Sequence, residues 1–267
     1  MGPKKRSLKG LWLTFPAGVL LYSFLVEPQW IEVTHHSIQA PVTQPLVIAH
    51  LTDLHVRRIG NREKMLLNLI EDQKPDLIVI TGDTIDKNGT YKMCRQVLTR
   101  LRAPLGVWAV RGNWENWRPS INERAFYESA GVHFLLNSSA PVGGLWLVGL
   151  DDETSGRPDL DAALRGVPRG AWTLALFHSP TYLDQAAGRC NIALAGHTHG
   201  GQVRLPFLGP LWLPRGCGRF VEGWYEERGT RMYVSRGIGT SILPIRFFCR
   251  PELDLITLTP VTPGDAS

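Results

Sequence analysis

Short, nearly unbroken apolar runs recur along this chain, and stretches with a helical repeat separate several of them. The runs 46–50, 77–81, 107–110, 132–136, 145–150, 173–177 and 192–195 are each bounded by polar or turn-forming residues. Their length and continuity predict strands, several of them buried on both faces. Between the first two runs, residues 61–73 place Met65, Leu66, Leu69 and Ile70 on one helical face. Before the third run, Met93, Val97, Leu98 and Leu101 do the same. Ser120-x-x-Glu123 reads as a capping box that opens a third helix, which stops at Gly131. Strands alternating with helices of this size specify βαβ units, and so an α/β layered fold. Residues 27–44 are polar and read as an extended linker, while 204–225 are rich in Pro, Gly, Trp and Leu with little periodicity.

At 267 residues and 43% hydrophobic content, the chain can bury one full core. The net charge of +5 changes meaning once its source is located. Setting aside Lys4, Lys5, Arg6 and Lys9 leaves 25 basic against 24 acidic side chains, so the body is near neutral. A general surface for polyanions is therefore not implied, and no nucleic-acid partner is expected. The basic start runs into residues 11–26, which carry no charge but are interrupted by Pro16 and Gly18. This reads as a short, uncleaved membrane anchor, since no small-x-small cleavage site precedes Glu27-Pro28. The alternatives are a cleaved signal, a helix lying in the membrane interface, or a buried helix. The expected division is 1–27 anchor, 28–45 linker, 46–260 the folded domain and 261–267 a tail. Cys94, Cys190, Cys217 and Cys249 are scattered without a C-x-x-C pair and read as ordinary thiols.

The candidate chemistry gathers just after the apolar runs. Asp53 and His55 follow the first, Asp83 the second, Asn113 the third, His178 the run 173–177, and His197 and His199 the last. In a βαβ sheet the carboxyl ends of the strands share one edge, where ligand sites form. Each residue alone has an ordinary explanation: Asp as a helix cap, Asn as a turn residue, His as a bonded core group. Together, carboxylate, amide and imidazole at successive strand ends suit a site for Mn, Fe or Zn better than one for Mg or Ca.

The motifs Asp53-Leu54-His55, Gly82-Asp83, Gly112-Asn113-Trp114-Glu115, His178 and Gly196-His197-Thr198-His199 resemble, in order, those of the calcineurin-like metallophosphoesterases. The resemblance covers about residues 46–260 and implies a four-layer αββα sandwich. It implies two divalent metal ions, manganese first among candidates, with Asp53, His55, Asp83 and His199 on one and Asp83, Asn113, His178 and His197 on the other. Asp83 would bridge them. The departure is Trp114, which stands where the family has a histidine thought to protonate the leaving group or steady the phosphate, oriented by the acidic neighbour, here Glu115. An indole donates one hydrogen bond but cannot act as an acid. The resemblance thus implies catalytic parts for Asp83, Asn113, Trp114 and Glu115, and Arg57 and Arg58 are candidates for gripping a phosphate.

The basic start, Glu27-Pro28, Gly200-Gly201-Gln202 and Arg246…Arg250-Pro251-Glu252 resemble the membrane-anchored bacterial branch of that family. This branch implies a place at the bacterial inner membrane and hydrolysis of phosphodiester or pyrophosphate bonds, with a lipid-linked nucleotide such as UDP-2,3-diacylglucosamine as a possible substrate. The apolar stretch Leu205, Phe207, Leu208, Leu211, Trp212 and Leu213 suits acyl chains or a bilayer surface, or else a flap over the core. The competing readings are a phosphatase of soluble phosphoesters or phosphoproteins, and a non-catalytic scaffold of the same fold.

Overall fold

The computed structural model describes residues 16–117 and 122–261. Two mixed six-stranded sheets form its centre. The strands are β1 (Glu32–Ala40), β2 (Leu46–Leu51), β3 (Leu77–Thr81), β4 (Val107–Val110), β5 (Val132–Phe134), β6 (Ser138–Val142) and β7 (Leu145–Gly149). They continue as β8 (Thr173–Leu176), β9 (Ile192–Ala195), the short β10 (Arg204–Leu205) and β11 (Gly209–Pro210), β12 (Gly223–Glu227), β13 (Thr230–Val234) and β14 (Glu252–Pro260). The first sheet runs β1-β14-β2-β3-β4-β5, the second β12-β13-β9-β8-β7-β6, and β10 pairs with β11 in a separate hairpin.

The continuous apolar runs follow from burial on both faces. Leu77 and Val79 of β3, Leu174 and Leu176 of β8 and Ile192 and Leu194 of β9 meet in a core between the sheets. Their neighbours Ile78 and Ile80 face outward under the helices Asn61–Gln73, Tyr91–Leu98 and Glu123–Ser129. Ala175, Ala193 and Ala195 face the opposite way, under Leu160–Leu164 and Leu183–Ala186. Period-two alternation thus serves two cores at once, and the result is helix, sheet, sheet, helix.

Several local expectations shift. Met65 and Met93 are exposed, while Leu67 and Cys94 are buried beside the expected Leu66, Ile70, Val97 and Leu98, so each apolar face is turned by less than one residue. Ser120 lies outside the described residues; the helix after it starts at Glu123, capped by Asn122, whose side chain accepts from the Ala125 amide. Residues 28–45 are not a free linker. Glu32–Ala40 is β1, paired in parallel with β14 from Glu32↔Glu252 to Ala40↔Pro260. As an edge strand it stays half exposed and polar, and its partner lies at the far end of the chain, so no local pattern marks it. Most of the expected anchor lies outside the described residues. Residues 16–21 are helical and run into the turns Tyr22–Val26 and Glu27–Gln29, and no described helix is long and apolar enough to cross a membrane.

Candidate metal centre

The loops leaving β2, β3, β4, β8 and β9 converge on one edge of the paired sheets and carry every strand-end donor named above. Asp53, His55, Asp83, His197 and His199 have φ of 52°, 42°, 53°, 72° and 51°, in the left-handed region that side-chain-bearing residues avoid. Such strain persists only where surrounding bonds over-determine the backbone, and it concentrates at working sites. Here the loops lace together: the Asp53 amide donates to Gly82 O at 3.1 Å, and the His55 amide to Asp83 O at 3.0 Å. Glycine permits the closest approach. A Cβ on Gly112 would lie 2.3 Å from Asp83 Oδ1, and one on Gly196 2.0 Å from Thr52 Oγ1.

Two groups of potential ligand atoms form, Asp53–His55–His199 and Asp53–Asp83–His178, each with its atoms within 4.8 Å of one another. Asp83 Oδ2 lies 3.5 Å from His55 Nε2 and 3.4 Å from His178 Nε2, between the two halves. Asp53 Oδ1 lies 3.2 Å from His199 Nε2. On the other side, His178 Nε2 is 3.0 Å from Asn113 Oδ1 and 3.1 Å from His197 Nδ1. All seven expected metal residues are therefore in one cluster, and all seven are buried.

The surroundings fix which ring nitrogens face inward. His178 Nδ1 donates to Thr81 O at 2.7 Å, and His197 Nε2 to Arg215 O at 2.5 Å, which turns the opposite nitrogens toward the cluster. Behind Thr81 stands a buried relay: His50 Nε2 bonds Thr81 Oγ1 at 2.8 Å, and His50 Nδ1 lies 3.2 Å from Asp254 Oδ2. Inside the cluster, His55 Nε2 and His199 Nε2 face each other at 3.2 Å, and Asp53 Oδ1 is buried with no hydrogen-bond partner. Two ring nitrogens face to face and an unpartnered carboxylate oxygen are satisfied together by cations, so the donor set fits divalent ions. The Asp/His arrangement is compatible with a two-ion site.

Electrostatics say the same. Burial would raise the Asp53 carboxyl, but His199 and His178 outweigh it and hold the group well below the usual carboxylate range. Burial carries Asp83 up to about 7, with His178 opposing and the Glu115 and Asp53 carboxylates adding to the rise. Burial, then the neighbouring His178, lowers His197 to about 4, so this ring is neutral and ready to donate a lone pair at neutral pH.

The remaining expected residues divide. The Trp114 amide donates to Asp83 Oδ1 at 2.9 Å, and its indole meets the His55 ring edge-on, with centroids 5.1 Å apart. Glu115 does not orient the side chain at 114. Its carboxylate accepts from the backbone amides of Asp83, Gly112 and Thr84 at 2.9, 3.0 and 2.7 Å, and from Tyr127 Oη at 3.3 Å. It is the clamp that binds the β3 and β4 loops to each other. Arg57 is committed to an ion pair with Asp86 at 2.9 Å, whereas Arg58 is exposed and has no acidic partner among the described residues.

Other residues of the site were missed. Asp152, just past β7, takes hydrogen bonds from Ser179, Thr154 and Ser155, and buttresses the residue after His178. The strand-end rule that located the other donors also points to it. Arg246 stands in the sequence as part of the tail motif, with no role attached to it. It is fully buried and spends its guanidinium on the carbonyls of Arg236, Gly237, Gly239 and Cys249. That holds the 236–239 loop, whose Gly239 and Ile238 amides bond Asp53 O and Thr52 O at 2.6 and 3.1 Å. Beside His199 lies an apolar cavity of about 400 Å³, walled by Leu211, Trp212, Ile242, Leu243 and Ile245.

The calcineurin-like phosphoesterase family model matches residues 46–201. The uncharacterized metallophosphoesterase YkuE of Bacillus subtilis is 32% identical over 96% of this chain and 97% of its own length. Phosphodiesterase YaeI of Escherichia coli is 30% identical over 89% of this chain and 92% of its own. A solved phosphopantetheinyl hydrolase, PptH of Mycobacterium tuberculosis, is 14% identical over 75% of this chain and 94% of its own, with a TM-score of 0.44, too low to carry an argument. With the family model spanning more than half of the sequence and relatives of like length on both sides of it, this chain belongs to the calcineurin-like phosphoesterases and is a metallophosphoesterase.

Proposed function

We propose that the chain hydrolyses phosphodiester or pyrophosphate bonds at a two-metal centre, with Asp53, His55, Asp83 and His199 on one ion and Asp83, Asn113, His178 and His197 on the other. The observation that carries the reading is Asp83 Oδ2 seated between His55 and His178, as a bridging carboxylate requires. When bound, such an ion pair, which we take to be manganese, supplies an activated water and neutralises charge on the phosphoryl oxygens. The chain's own part is to hold the lone pairs inward and to exclude water by burial. Trp114 sets the leaving group. An indole against His55 cannot supply a proton, and acid catalysis is worth roughly 10²–10⁴ in rate. Substrates that expel a stable anion, such as a nucleoside phosphate, are served better than alkyl monoesters.

The apolar cavity beside His199 supports a finer reading, in which the phosphorus carries a lipid, as in UDP-2,3-diacylglucosamine, and the N-terminal segment holds the enzyme at the bacterial inner membrane. Metal analysis with turnover of bis-p-nitrophenyl phosphate, a nucleotide sugar and an alkyl phosphate tests these statements. Turnover that disappears in Asp83→Ala supports the hydrolase. Two bound ions without turnover support a scaffold, and faster cleavage of the alkyl ester overturns the role given to Trp114.

A further inference from the structure

Most of the large apolar side chains left exposed among the described residues fall on a few segments that lie together. The hairpin β10–β11 carries Phe207 and Leu208 at its tip, Phe207 in left-handed backbone with φ 67° and fully exposed. Leu211 and Trp212 follow the hairpin and share a cavity wall with Ile242 and Leu243 of the 240–245 loop, all four more than half exposed. The other side of that loop, through Thr240 and Pro244, faces Phe24 of the N-terminal helix across a second cavity of about 560 Å³. Leu20, Leu21, Leu25 and Val26 of the same helical stretch are exposed as well.

This helix is fixed to the body. Ser23 O accepts from the Arg246 amide at 3.0 Å, and the buried Glu27 carboxylate accepts from the Cys249 amide. The exposed leucines are therefore held in place next to the metal loops. A monomer does not leave such a patch bare without a partner for it.

Charge identifies the partner. The second cavity is lined by Arg57, Arg58 and Arg62, of which the first and last are neutralised by Asp86 and Glu63. Arg58 is left unpaired between Ile59 and the apolar rim. Upstream of the described helix the sequence reads Lys4-Lys5-Arg6 and Lys9, followed by Leu11-Trp12-Leu13. Apolar tips with an unpaired arginine beside them, on a chain whose sequence opens with four basic residues, match the acyl and headgroup layers of an anionic bilayer.

We infer that the folded body itself, and not its N-terminal segment alone, seats on an anionic bilayer through the Phe207–Leu208 tip, the 240–245 loop and the Leu20–Val26 stretch. The metal cluster, whose His199 lines the apolar cavity between two of these segments, then opens toward the lipid. This seat is separate from the hydrolysis proposed above, and its test reads binding rather than turnover.

All four native cysteines are buried, so a Phe207→Cys variant of the full chain takes an environment-sensitive fluorophore at the tip alone. Asp72→Cys is the control, on the far end of the helix whose start lines the arginine cavity, about 16 Å away along the axis. On vesicles of phosphatidylethanolamine with phosphatidylglycerol, the label at 207 shifts to the blue and is quenched by brominated lipid, while the label at 72 is not. Pure phosphatidylcholine and high salt weaken the effect. Phe207→Ser with Leu208→Ser lowers partition on the order of tenfold and leaves turnover of a soluble diester unchanged. A label at 207 that stays in water while the full chain is vesicle-bound overturns the inference, as does a full chain that binds no vesicle. A dimer that falls apart on Phe207→Ser with Leu208→Ser would make a second copy the occupant and also overturns it.

Discussion

The metal loops and the apolar rim lie side by side yet are built on opposite principles. In the loops all seven expected ligands are polar and buried, and the backbone is strained at five of them. On the rim the side chains are apolar and exposed, with Phe207 wholly in solvent. The loops gain their order from the fold, because the Glu115 carboxylate and the Arg246 guanidinium tie their backbones together. The rim contributes little to the fold and has a use only against something else. A region that is costly to build and one that is cheap to change are thus neighbours, which separates chemistry from recognition.

The largest expected effect lies in the loops. Gly112→Ala would drive a Cβ to 2.3 Å from Asp83 Oδ1 and 2.5 Å from the Asp83 amide, neither able to retreat. Diester turnover at saturating metal should fall by at least roughly 10²-fold, the cost of a misplacement of about an ångström. Turnover within a few-fold of the parent would show that the loops are not rigid. Glu115→Ala comes next, since three buried amides and the Tyr127 hydroxyl lose their acceptor. At about 1–3 kcal/mol for each unsatisfied group, partly relieved by water, urea denaturation of the metal-free protein should lose about 3 kcal/mol or more. Glu115→Gln, which keeps one acceptor oxygen, should lose less.

The pH dependence of metal uptake probes the same loops more gently. Asp83 sits at about 7 without metal, so below that pH a proton must leave before an ion can bind. Burial would lower the His178 ring, but Asp83 and Asp53 outweigh it and hold the group well above the usual histidine range, so that ring must lose a proton as well. Affinity should fall at least about tenfold for each pH unit below 7 and keep rising above it, with proton release seen by calorimetry in buffers of different ionisation heat. The sign for the metal-free fold is opposite. A carboxyl raised from 3.8 to about 7 contributes its stability at low pH and loses it as pH rises through that window. The smallest effect belongs to the rim. Phe207→Ser should move unfolding stability by no more than about 0.5 kcal/mol, as for other exposed positions. A loss as large as that of Glu115→Ala would erase the contrast between the two regions.

Much of the site was legible because its donors follow strands that read plainly. β3, β4 and β9 match their apolar runs residue for residue, and the residues after them are Asp83, Asn113 and His197. The edge strand β1 and the strand β14 that pairs with it were not legible. Their pairing spans 220 positions; β1 is half exposed, and β14, though mostly buried, alternates apolar with polar residues and so lacks a continuous apolar run. Glu115 shows another limit. Its place beside Trp114 in sequence says nothing of the three amides it holds, two of which lie on the loop after β3.

The sequence alone determined the layered class, the strand-end positions of the seven donors and the family they resemble, because periodicity and motif order are local or nearly so. Only the tertiary structure decided which ring nitrogen each histidine turns inward, that Arg57 is already paired, and that Arg246 supports Asp53 from behind. It also decided that the 240–245 loop lines one cavity with Leu211 and Trp212 and another with Phe24. Those facts depend on distances between segments far apart in the chain, and hydrogen bonds and burial across such distances leave no trace in the order of residues.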